Sequence, residues 1–422
     1  MSGLEKISLN ITSEYGPLKT VIVHRPGLEI DMLTPENKNI LLFEDIPYLQ
    51  KMQEEHKRFV GVLEQNGVSV LFLEDLLKDI LVPETGSTDR IVQRSCIMNQ
   101  SLAPIILNNY TKKDICKIIL GGLTSGKLKE DTGIDFSSIN SDEDEFLLEP
   151  VPNAYFTRDP AAVIGNKVVS SKMQYDVRVR ETYFYQEIFT HHKYFKNMEP
   201  HDEDDRKSNF IFGDRVLQDE ERPYCIEGGD IIVLHEKAIA IGCSQRTRAE
   251  TIHKLAVKLF RYTNVQKVYQ INIPAERAYM HLDTVFTVVD KGKVVAYPNV
   301  MNQIKEIIRF EPHLPYNSSR PIAIPILENR PFNKILEDEF GRLQVIHTGD
   351  NISRYASREQ LADGTNVFAI APGKVITYDR NIYTNNALKK AGVDVISIEG
   401  SELVRGLGGP RCMTMPIYRE NV

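Results

Sequence analysis

Cysteine is scarce in this sequence, and its placement does not suggest cross-links. The 422 residues contain five cysteines, which are far apart and never spaced as Cys-x-x-Cys: Cys96, Cys116, Cys225, Cys243 and Cys412. This odd and scattered set argues against a disulfide framework and against a zinc ribbon. We therefore expect free thiols, most of them ordinary buried packing residues.

Long apolar runs and clustered positive charge are also lacking. No stretch approaches the ~20 apolar residues that a membrane-spanning helix needs. The opening "MSGLEKISLNITSEYG" has no apolar core of a secretory signal. The net charge is -7 at pH 7, and the basic residues do not form a stripe. We accordingly expect a cytoplasmic protein without a membrane or nucleic-acid partner.

What the sequence does contain is a recurring strand–turn–strand pattern. Each copy has an apolar strand, a short turn with Gly or Lys, and a second apolar strand, which is typical of a β-hairpin. The stretch "GPLKTVIVHRPG", from Gly16, reads as a degenerate first copy. The clear copies are "AAVIGNKVVSS" from Ala161, "DIIVLHEKAIAIG" from Asp230, "DTVFTVVDKGKVVAYP" from Asp283 and "NVFAIAPGKVITYD" from Asn366.

Several hairpins are followed by a helical pattern that leads into another strand. In the last copy we expect Asn385 and Asn386 to cap the helix and Gly392 to end it. Similar patterns start at Glu54, with Gly67 as C-cap, and at Arg246. The predicted unit is thus ββαβ, repeated about five times, and such units often close into a ring or propeller.

Two segments do not follow this pattern. Residues 75–148 are rich in helix-forming residues and predict a helical domain, inserted into an α/β catalytic domain made of residues 1–74 and 149–422. The charged residues 197–223 predict a surface excursion. This run and the acidic stretch "NSDEDEFLLEP", at the end of the helical segment, are more often solvated loops than binding sites.

Polar residues are grouped just before the predicted strands. A single Asp or His in such a place is usually a turn or structural residue, but equivalent strand ends in a ring point at one centre. Buried carboxylates that converge there require a cation. The groups are Asn153, Phe156, Arg158 and Asp159; Glu227 and Asp230; His281 and Asp283; and Cys412, after the last hairpin.

The cation can be a metal ion or an organic cation. Zn²⁺, Mn²⁺ or Mg²⁺ could use the His and carboxylate groups, although no HxH, HExxH or DxDxD motif occurs. A guanidinium is planar, and two carboxylates can each bind it through paired hydrogen bonds. Its carbon can accept a thiolate, for which Cys412 would be the nucleophile and His281 the proton carrier.

The series "PNAYFTRD", "EGGD", "MHLDT" and "GPRCMTMP", in this order, resembles the arginine deiminases. "TGDN" at Thr348 and "YDRNIYTNNALKKAGV" from Tyr378 resemble that family too. The resemblance implies a five-fold pseudosymmetric α/β propeller of ββαβ modules with an inserted helical domain. It also implies hydrolysis of L-arginine to L-citrulline and ammonia, without a metal or organic cofactor, and a homo-oligomer, a dimer or higher.

The resemblance further implies a role for each site residue. Cys412 resembles the nucleophile and His281 the general acid and base. Asp159 and Asp283 resemble the guanidinium clamp, and Glu227 contacts the guanidinium and supports His281. The remaining implied residues are Arg178 and Arg246 on the substrate α-carboxylate, Asn153 and Phe156 in the pocket wall, Leu42 over the substrate, Gly406 in the loop of the nucleophile, and Asp230 behind the pocket.

Some alternatives remain open at this stage. Leu407 stands where some family members have an arginine that fills the empty pocket, so gating by that side chain is not expected here. An agmatine deiminase, a dimethylarginine hydrolase, an amidinotransferase or a non-catalytic propeller would share the core. We also predict a neutral Cys412 thiol at rest, because carboxylates outnumber the positive groups near it. An inward-pointing Arg411 would oppose that prediction.

Overall fold

Strands and helices alternate along the chain. The computed structural model describes residues 7–82, 85–136, 142–195, 211, 224–316, 318 and 320–422. The strands are β1 (Leu18–Val23), β2 (Ser69–Phe72), β3 (Leu123–Thr124), β4 (Phe146–Leu148), β5 (Ala161–Ile164), β6 (Lys167–Ser170), β7 (Ile231–His235), β8 (Ala238–Cys243), β9 (Lys267–Asn272), β10 (Phe286–Asp290), β11 (Lys293–Ala296), β12 (Ile307–His313), β13 (Ile322–Glu328), β14 (Gln344–His347), β15 (Phe368–Ala371), β16 (Lys374–Tyr378), β17 (Asp394–Ile398) and β18 (Met415–Arg419).

The helices lie between these strands and in one longer helical stretch. They are α1 (Leu28–Asp31), α2 (Leu49–Gln65), α3 (Leu73–Ile80), α4 (Ser87–Ser95), α5 (Leu102–Asn109), α6 (Lys112–Gly121), α7 (Ser125–Thr132), α8 (Val179–His191), α9 (Ala249–Tyr262), α10 (Pro298–Met301), α11 (Phe332–Phe340), α12 (Ser353–Gln360) and α13 (Ile382–Lys390). No helix within the described ranges is long and apolar enough to cross a membrane.

The sheets repeat one arrangement. In β7-β8-β9, β10-β11-β14 and β15-β16-β17, an antiparallel hairpin is extended by a strand parallel to its second member. The hairpin β5-β6 has no third strand among the described residues. The hairpin strands are mostly buried, which explains their almost unbroken apolar sequences. These residues form an α/β fold of separate sheets.

The predicted first hairpin is wrong. "GPLKTVIVHRPG" forms only the strand β1, because its single apolar run ends before Pro26 and Gly27. The antiparallel partner of β1 is the C-terminal strand β18, and β2 pairs in parallel on the other side. The two ends of the chain therefore meet, and Cys412 lies three residues before the start of β18 at Met415.

The predicted cap of α13 is also wrong. The helix begins at Ile382 with Asn381 as its N-cap residue, so Asn385 lies inside the helix. The free N–H groups of Tyr383 and Thr384 donate to the carboxylate of Glu359, 2.8 and 2.9 Å away. Glu359 belongs to the preceding helix, and a cap supplied from another helix leaves no local sequence signal.

A second hairpin, β12-β13, interrupts the fourth predicted unit. It joins the sheet of β7, β8 and β9 by pairing antiparallel with β9. The predicted helical stretch contains α3 to α7, and α3 already begins at Leu73. The predicted surface excursion at 197–223 lies outside the described residues, apart from Ile211.

Candidate active site

Most of the predicted site residues meet around one small, largely enclosed cavity. The space inside is about 10 Å³, which is room for about one water molecule. The residues that also line this cavity without having been predicted are Met280, Thr284 and Leu407. The predicted residues that line it are Leu42, Asn153, Phe156, Asp159, Arg178, Arg246, His281, Gly406 and Cys412.

The remaining predicted residues lie behind the cavity wall. Glu227, Asp230 and Asp283 are all fully buried. Each of the last two stands in a short 3-10 turn that feeds the first strand of a hairpin, β7 or β10. Asp159 holds the same place before β5. The predicted convergence of hairpin starts on one centre is therefore present in the structure.

Glycines allow the loop of the nucleophile to run against the aromatic wall. A Cβ atom on Gly406 would lie 2.5 Å from the hydroxyl of Tyr155 and 3.0 Å from the ring of Phe156. Any larger residue would push the loop away from the wall. The Tyr155 hydroxyl donates to the carbonyl of Leu403, 2.9 Å away, and so fastens the start of this loop.

The thiol of Cys412 is buried beside a carboxylate. Its Sγ lies 3.6 Å from Oδ2 of Asp283, and its backbone N–H donates to Oδ1 of Asn366 at 2.9 Å. Burial first, and then the negative charges of Asp283, Asp159 and Asp363, raise the pKa of the thiol well above its ordinary value. This direction agrees with the predicted neutral thiol.

Arg411 points inward, as the sequence left open, but it does not make the thiol acidic. Its Nη1 donates to Oδ2 of Asp283 at 2.8 Å, and its Nε and Nη2 donate to the carboxylate of Glu14. Two carboxylates thus balance this single positive charge. The neighbouring Arg158 turns away from the cavity and donates to the hydroxyl of Thr414 at 3.3 Å.

His281 is held between carboxylates. Its Nε2 lies 2.8 Å from Oε2 of Glu227, and its Nδ1 lies 3.8 Å from Oδ1 of Asp159. Burial alone would lower the pKa of His281, but Asp159, Glu227 and Asp230 together raise it to about 9. The pKa of Glu227 is lowered, because Arg246 and His281 outweigh its burial. His281 is therefore positively charged at neutral pH.

Asp230 shapes the turn that carries His281. Its Oδ1 accepts the backbone N–H of Leu282 at 2.8 Å, and its Oδ2 accepts the hydroxyl of Ser244 at 2.7 Å. Burial raises the pKa of Asp230 to about 7. It does not line the cavity, so its place behind the pocket agrees with the expectation from the sequence.

Asp159 and Asp283, the two aspartates expected to form the clamp, each have one oxygen in use and one without a hydrogen-bond partner. Oδ2 of Asp159 accepts from Nη1 of Arg178 at 2.8 Å, as Oδ2 of Asp283 does from Arg411. The other oxygens, Oδ1 of Asp159 and Oδ1 of Asp283, are buried and find no hydrogen-bond partner within the described part of the chain. Unpaired buried carboxylate oxygens are costly and indicate a missing donor.

The structure separates the two arginines expected on the substrate α-carboxylate. Nε and Nη2 of Arg178 donate to Glu181 at 3.0 and 2.8 Å, and its Nη1 is taken by Asp159. A paired fork of N–H groups is thus not free on Arg178. The guanidinium of Arg246 lies 4.7 Å over the ring of Tyr175, and its buried Nε has no hydrogen-bond partner among the described residues. Arg246 is also partly paired, since its Nη1 donates to Oε2 of Glu227 at 3.2 Å.

Leu42 and Leu407 close the cavity from above. Both have a left-handed backbone, with φ of 65° and 57°, which is unusual for a non-glycine residue. Asn153 donates to the carbonyl of Leu41 at 2.7 Å, and Arg277 donates to the carbonyl of Leu42 at 3.1 Å. Asn153 thus holds the segment of Leu41 and Leu42, which covers the cavity, in addition to lining the cavity wall.

A metal ion is the other cation that the sequence left open. Three residues, Asp159, Glu227 and His281, each offer one ligand atom. These three atoms lie within 4.8 Å of one another, which is close enough for shared coordination. The same carboxylates are already paired with Arg178 and Arg246. A divalent ion would have to displace these guanidinium groups or bear their repulsion.

Two buried partners of the site were missed by the sequence analysis. Glu181 follows Arg178 by one helical turn, a spacing that could have indicated their ion pair. Glu14, in "SEYG", is 397 residues from its partner Arg411, and no pattern links the two. Asn366 was noted only as the start of a hairpin, although it holds the backbone of Cys412.

Comparison with solved structures places this fold. SxtG, an amidinotransferase from Microseira wollei, aligns with a TM-score of 0.53 and 16% identity, covering 98% of each chain. DDAH from Pseudomonas aeruginosa, in complex with citrulline, aligns with a TM-score of 0.50 and 15% identity over 95% of this chain and 99% of its own. The chain is therefore an α/β protein with the fold of these enzymes.

Sequence comparison gives the family. The family model described as arginine deiminase matches residues 39–419. The arginine deiminase of Listeria welshimeri is 38% identical, covering 98% of this chain and 99% of the relative. That of Oenococcus oeni is also 38% identical, covering 99% of each. The chain belongs to the arginine deiminase family.

Proposed function

We propose that the protein hydrolyses L-arginine to L-citrulline and ammonia, with Cys412 as a covalent nucleophile. The observation that carries this proposal is the pair of buried, unpaired oxygens, Oδ1 of Asp159 and Oδ1 of Asp283, beside a cavity lined by Cys412 and His281. A guanidinium supplies N–H donors to two carboxylates at once. Family membership supports the same substrate.

The charges around the cavity favour a positively charged ligand. Among the ion-paired groups, the carboxylates exceed the positive groups by one when all of them are ionised. The carboxylates are Asp159, Glu227, Asp283, Glu181 and Glu14, and the positive groups are Arg178, Arg246, Arg411 and His281. Buried Asp230 and Asp363 add negative charge where they are ionised, so a guanidinium meets a surplus of carboxylates.

The first chemical step forms a bond between sulfur and carbon. The positive guanidinium lowers the pKa of the neighbouring Cys412 thiol, whose proton passes to solvent and is later taken up by the released ammonia. The thiolate attacks the guanidinium carbon and makes a tetrahedral adduct. Protonated His281 then donates a proton to one amino group, which leaves as ammonia and leaves a thioether intermediate on Cys412.

The second step returns the enzyme to its starting state. Neutral His281 takes a proton from a water molecule, whose oxygen attacks the same carbon. The carbon–sulfur bond breaks, the ureido group of citrulline forms, and the sulfur regains a proton. Glu227 keeps the imidazole oriented in both steps through the 2.8 Å contact with Nε2. The sum is arginine and water giving citrulline and ammonia.

The far end of the substrate gives selectivity. We assign the α-carboxylate mainly to Arg246, whose Nε is unpaired, and only secondarily to Arg178. Asn153 and Phe156 form the wall, and Leu42 and the Gly406 loop cover the bound amino acid. The cavity of about 10 Å³ is too small for arginine, so this cover must move before the substrate enters. Agmatine has no carboxylate, so this arrangement favours arginine over it.

The larger organisation of the molecule belongs to the same proposal. We propose that the sheets are the ββαβ modules of a five-fold pseudosymmetric propeller. Its catalytic domain would comprise residues 1–74 and 149–422, with residues 75–148 as the inserted helical domain. The shared order of hairpin and parallel strand supports the modules. We also propose a cytoplasmic homo-oligomer that needs no cofactor, and the free cysteines fit that compartment.

The test is citrulline formation from L-arginine, measured beside agmatine, methylated arginines and a chelator-treated sample. We expect arginine to be the best substrate and the chelator to have no effect. Cys412→Ala should abolish turnover, whereas Cys116→Ala, which removes another buried thiol, should retain it. Substantial citrulline formation by Cys412→Ala would refute the covalent mechanism. Preference for agmatine or loss of activity with chelator would refute the proposed substrate or cofactor independence.

A further inference from the structure

We infer that Glu14 and Arg411 form a positioning pair, which fixes Asp283 so that its free oxygen faces the substrate guanidinium. This inference rests on the proposed function, because it concerns how one arm of the guanidinium clamp is held. Neither residue lines the cavity. Both would therefore act through Asp283 and not by touching the substrate.

The geometry of the pair leaves Asp283 one orientation. Arg411 donates from Nε and Nη2 to the two oxygens of Glu14 at 3.2 and 3.1 Å, a paired contact that fixes the plane of the guanidinium. A further bond from Nη2 to the carbonyl of Ile231, 2.8 Å long, prevents rotation. The remaining Nη1 reaches Oδ2 of Asp283 at 2.8 Å. Oδ1 of Asp283 is thereby turned away from Arg411 and is left without a partner.

Glu14 is itself fixed by the backbone of a neighbouring strand. Its N–H donates to the carbonyl of Val233 in β7 at 3.0 Å, and the N–H of Val233 donates back to its Oε1 at 3.2 Å. The segment around it also bridges to the β5-β6 hairpin through Ile11 and Gly165. The N-terminal segment therefore sets the position of Arg411 from outside the cavity.

The charges of the pair persist at neutral pH. Burial alone would raise the pKa of Glu14, but the guanidinium of Arg411 outweighs it and lowers the value to about 2. Glu14, Arg411 and Asp283 therefore form a row of alternating charges that ends at Asp283. Without Glu14 the full positive charge of Arg411 would stand behind the clamp, and it would oppose the positive guanidinium of the substrate.

The test compares Glu14→Gln and Arg411→Lys with a matched control. The control is Glu187→Gln, because Glu187 accepts a paired contact from Arg90 at 2.9 and 2.8 Å between α4 and α8. Measurements are the melting temperature, kcat and KM for arginine, and arginine binding in a Cys412→Ala background. All three variants should lower the melting temperature. Only Glu14→Gln and Arg411→Lys should also reduce kcat/KM and arginine affinity, each by more than about tenfold.

A double-mutant cycle distinguishes a positioning role from a merely structural one. If Glu14 acts through Arg411, Glu14→Gln should change kcat/KM by less than threefold when Arg411 is already Lys. Glu14→Asp, which keeps the charge, should recover part of the activity. Parental affinity and turnover in Glu14→Gln, or fully additive losses in the double variant, would overturn the inference. Failure of the parent protein to make citrulline would instead refute the proposed function.

Discussion

The two halves of the proposed guanidinium site are built in the same way from different parts of the chain. On the Asp159 side, Arg178 binds Glu181 through Nε and Nη2 and gives Nη1 to the aspartate. On the Asp283 side, Arg411 binds Glu14 through the same two nitrogens and gives Nη1 to its aspartate. Each aspartate keeps one unpaired oxygen. In each half the internal arginine supplies the positive partner that a buried carboxylate requires.

The differences between the sides follow from what each one faces. Asp159 lies 3.8 Å from His281, and so its side adjoins the acid and base of the reaction. Asp283 lies 3.6 Å from the sulfur of Cys412, and so its side adjoins the nucleophile. Arg178 lines the cavity, whereas Arg411 is shielded from it. One clamp arm can therefore also contact the substrate through its arginine, and the other arm cannot.

The largest effect should come from removing the charge of either clamp aspartate. Asp159→Asn and Asp283→Asn each lose a charge-assisted hydrogen bond worth about 1.5–3 kcal/mol, which corresponds to roughly a 10- to 150-fold loss of kcat/KM. Each change also leaves an internal arginine underpaired. Steady-state kinetics with arginine provides the measurement, and the exposed Asp394→Asn is the control. Near-parental kinetics in either variant would remove that aspartate from the clamp.

A smaller and more selective effect should separate the two cavity arginines. Arg246→Ala should reduce kcat/KM for arginine more than for agmatine, by about tenfold in their ratio. Arg178→Ala should impair both substrates, because it releases Asp159. Arg248→Ala, at an exposed neighbouring position, is the control. An unchanged substrate ratio in Arg246→Ala would mean that this residue does not read the α-carboxylate.

The comparison of the two sides also shows how far the sequence could go. Asp159, His281 and Asp283 stand in motifs at hairpin starts, Cys412 stands in a motif after the last hairpin, and a motif with a family resemblance is enough to find them. The hairpins and the later strands β2, β9 and β17 follow from apolar patterns, which are local and readable in a single sequence. The strand β14 and the parallel pairing of the third strands were not predicted. In the structure Asp159, His281 and Cys412 line one cavity, and Asp283 lies behind its wall, 3.6 Å from the sulfur of Cys412.

The contacts that the sequence did not predict are those between residues that are far apart in the chain. The family resemblance implied that Arg178 holds the substrate, and its bond to Asp159, unlike the local spacing to Glu181, is visible only in the folded structure. Glu14 and Arg411 are at opposite ends of the chain, and the pairing of β1 with β18 brings these ends together. The cap of α13 likewise comes from a residue of another helix, Glu359.

The ionisation of Cys412 should depend on the Asp283 side more than on the Asp159 side. After burial, Asp283 is the largest cause of the raised pKa of the thiol, ahead of Asp159. We expect Asp283→Asn to lower this pKa more than Asp159→Asn does. Thiolate absorbance in the ultraviolet, titrated without substrate and corrected with Cys412→Ser, measures it. A complete Cys412 thiolate signal at pH 6 in the parent would contradict the neutral resting thiol.

His281 should set an upper pH limit for stability and for kcat. Its folded pKa of about 9 is above the ordinary value of 6.5, so the charged imidazolium stabilises the fold. That contribution is complete below pH 6.5 and is lost as the pH rises through 9. Since charged His281 also protonates the leaving ammonia, kcat should fall over the same range. A kcat that stays constant up to pH 10 would contradict this assignment.

The smallest effect should come from the ion pairs at the rim, outside both sides of the clamp. Arg405 pairs with Asp45 and, at 2.8 Å, with Glu402, and thus ties the cover that bears Leu42 to the loop that bears Gly406. The side chains of Arg405 and Asp45 are 35% and 60% exposed, so water and salt screen the pair. Arg405→Gln should therefore raise KM by less than about fivefold, and kcat should hold because no reacting group moves. Arg330→Gln, at a comparably exposed pair, is the control. The difference from the parent should shrink as salt is added, whereas the losses at Glu14 and Arg411 should persist because those charges are buried. A loss in Arg405→Gln as large as in Asp283→Asn would mean that cover closure, and not the clamp, limits the reaction.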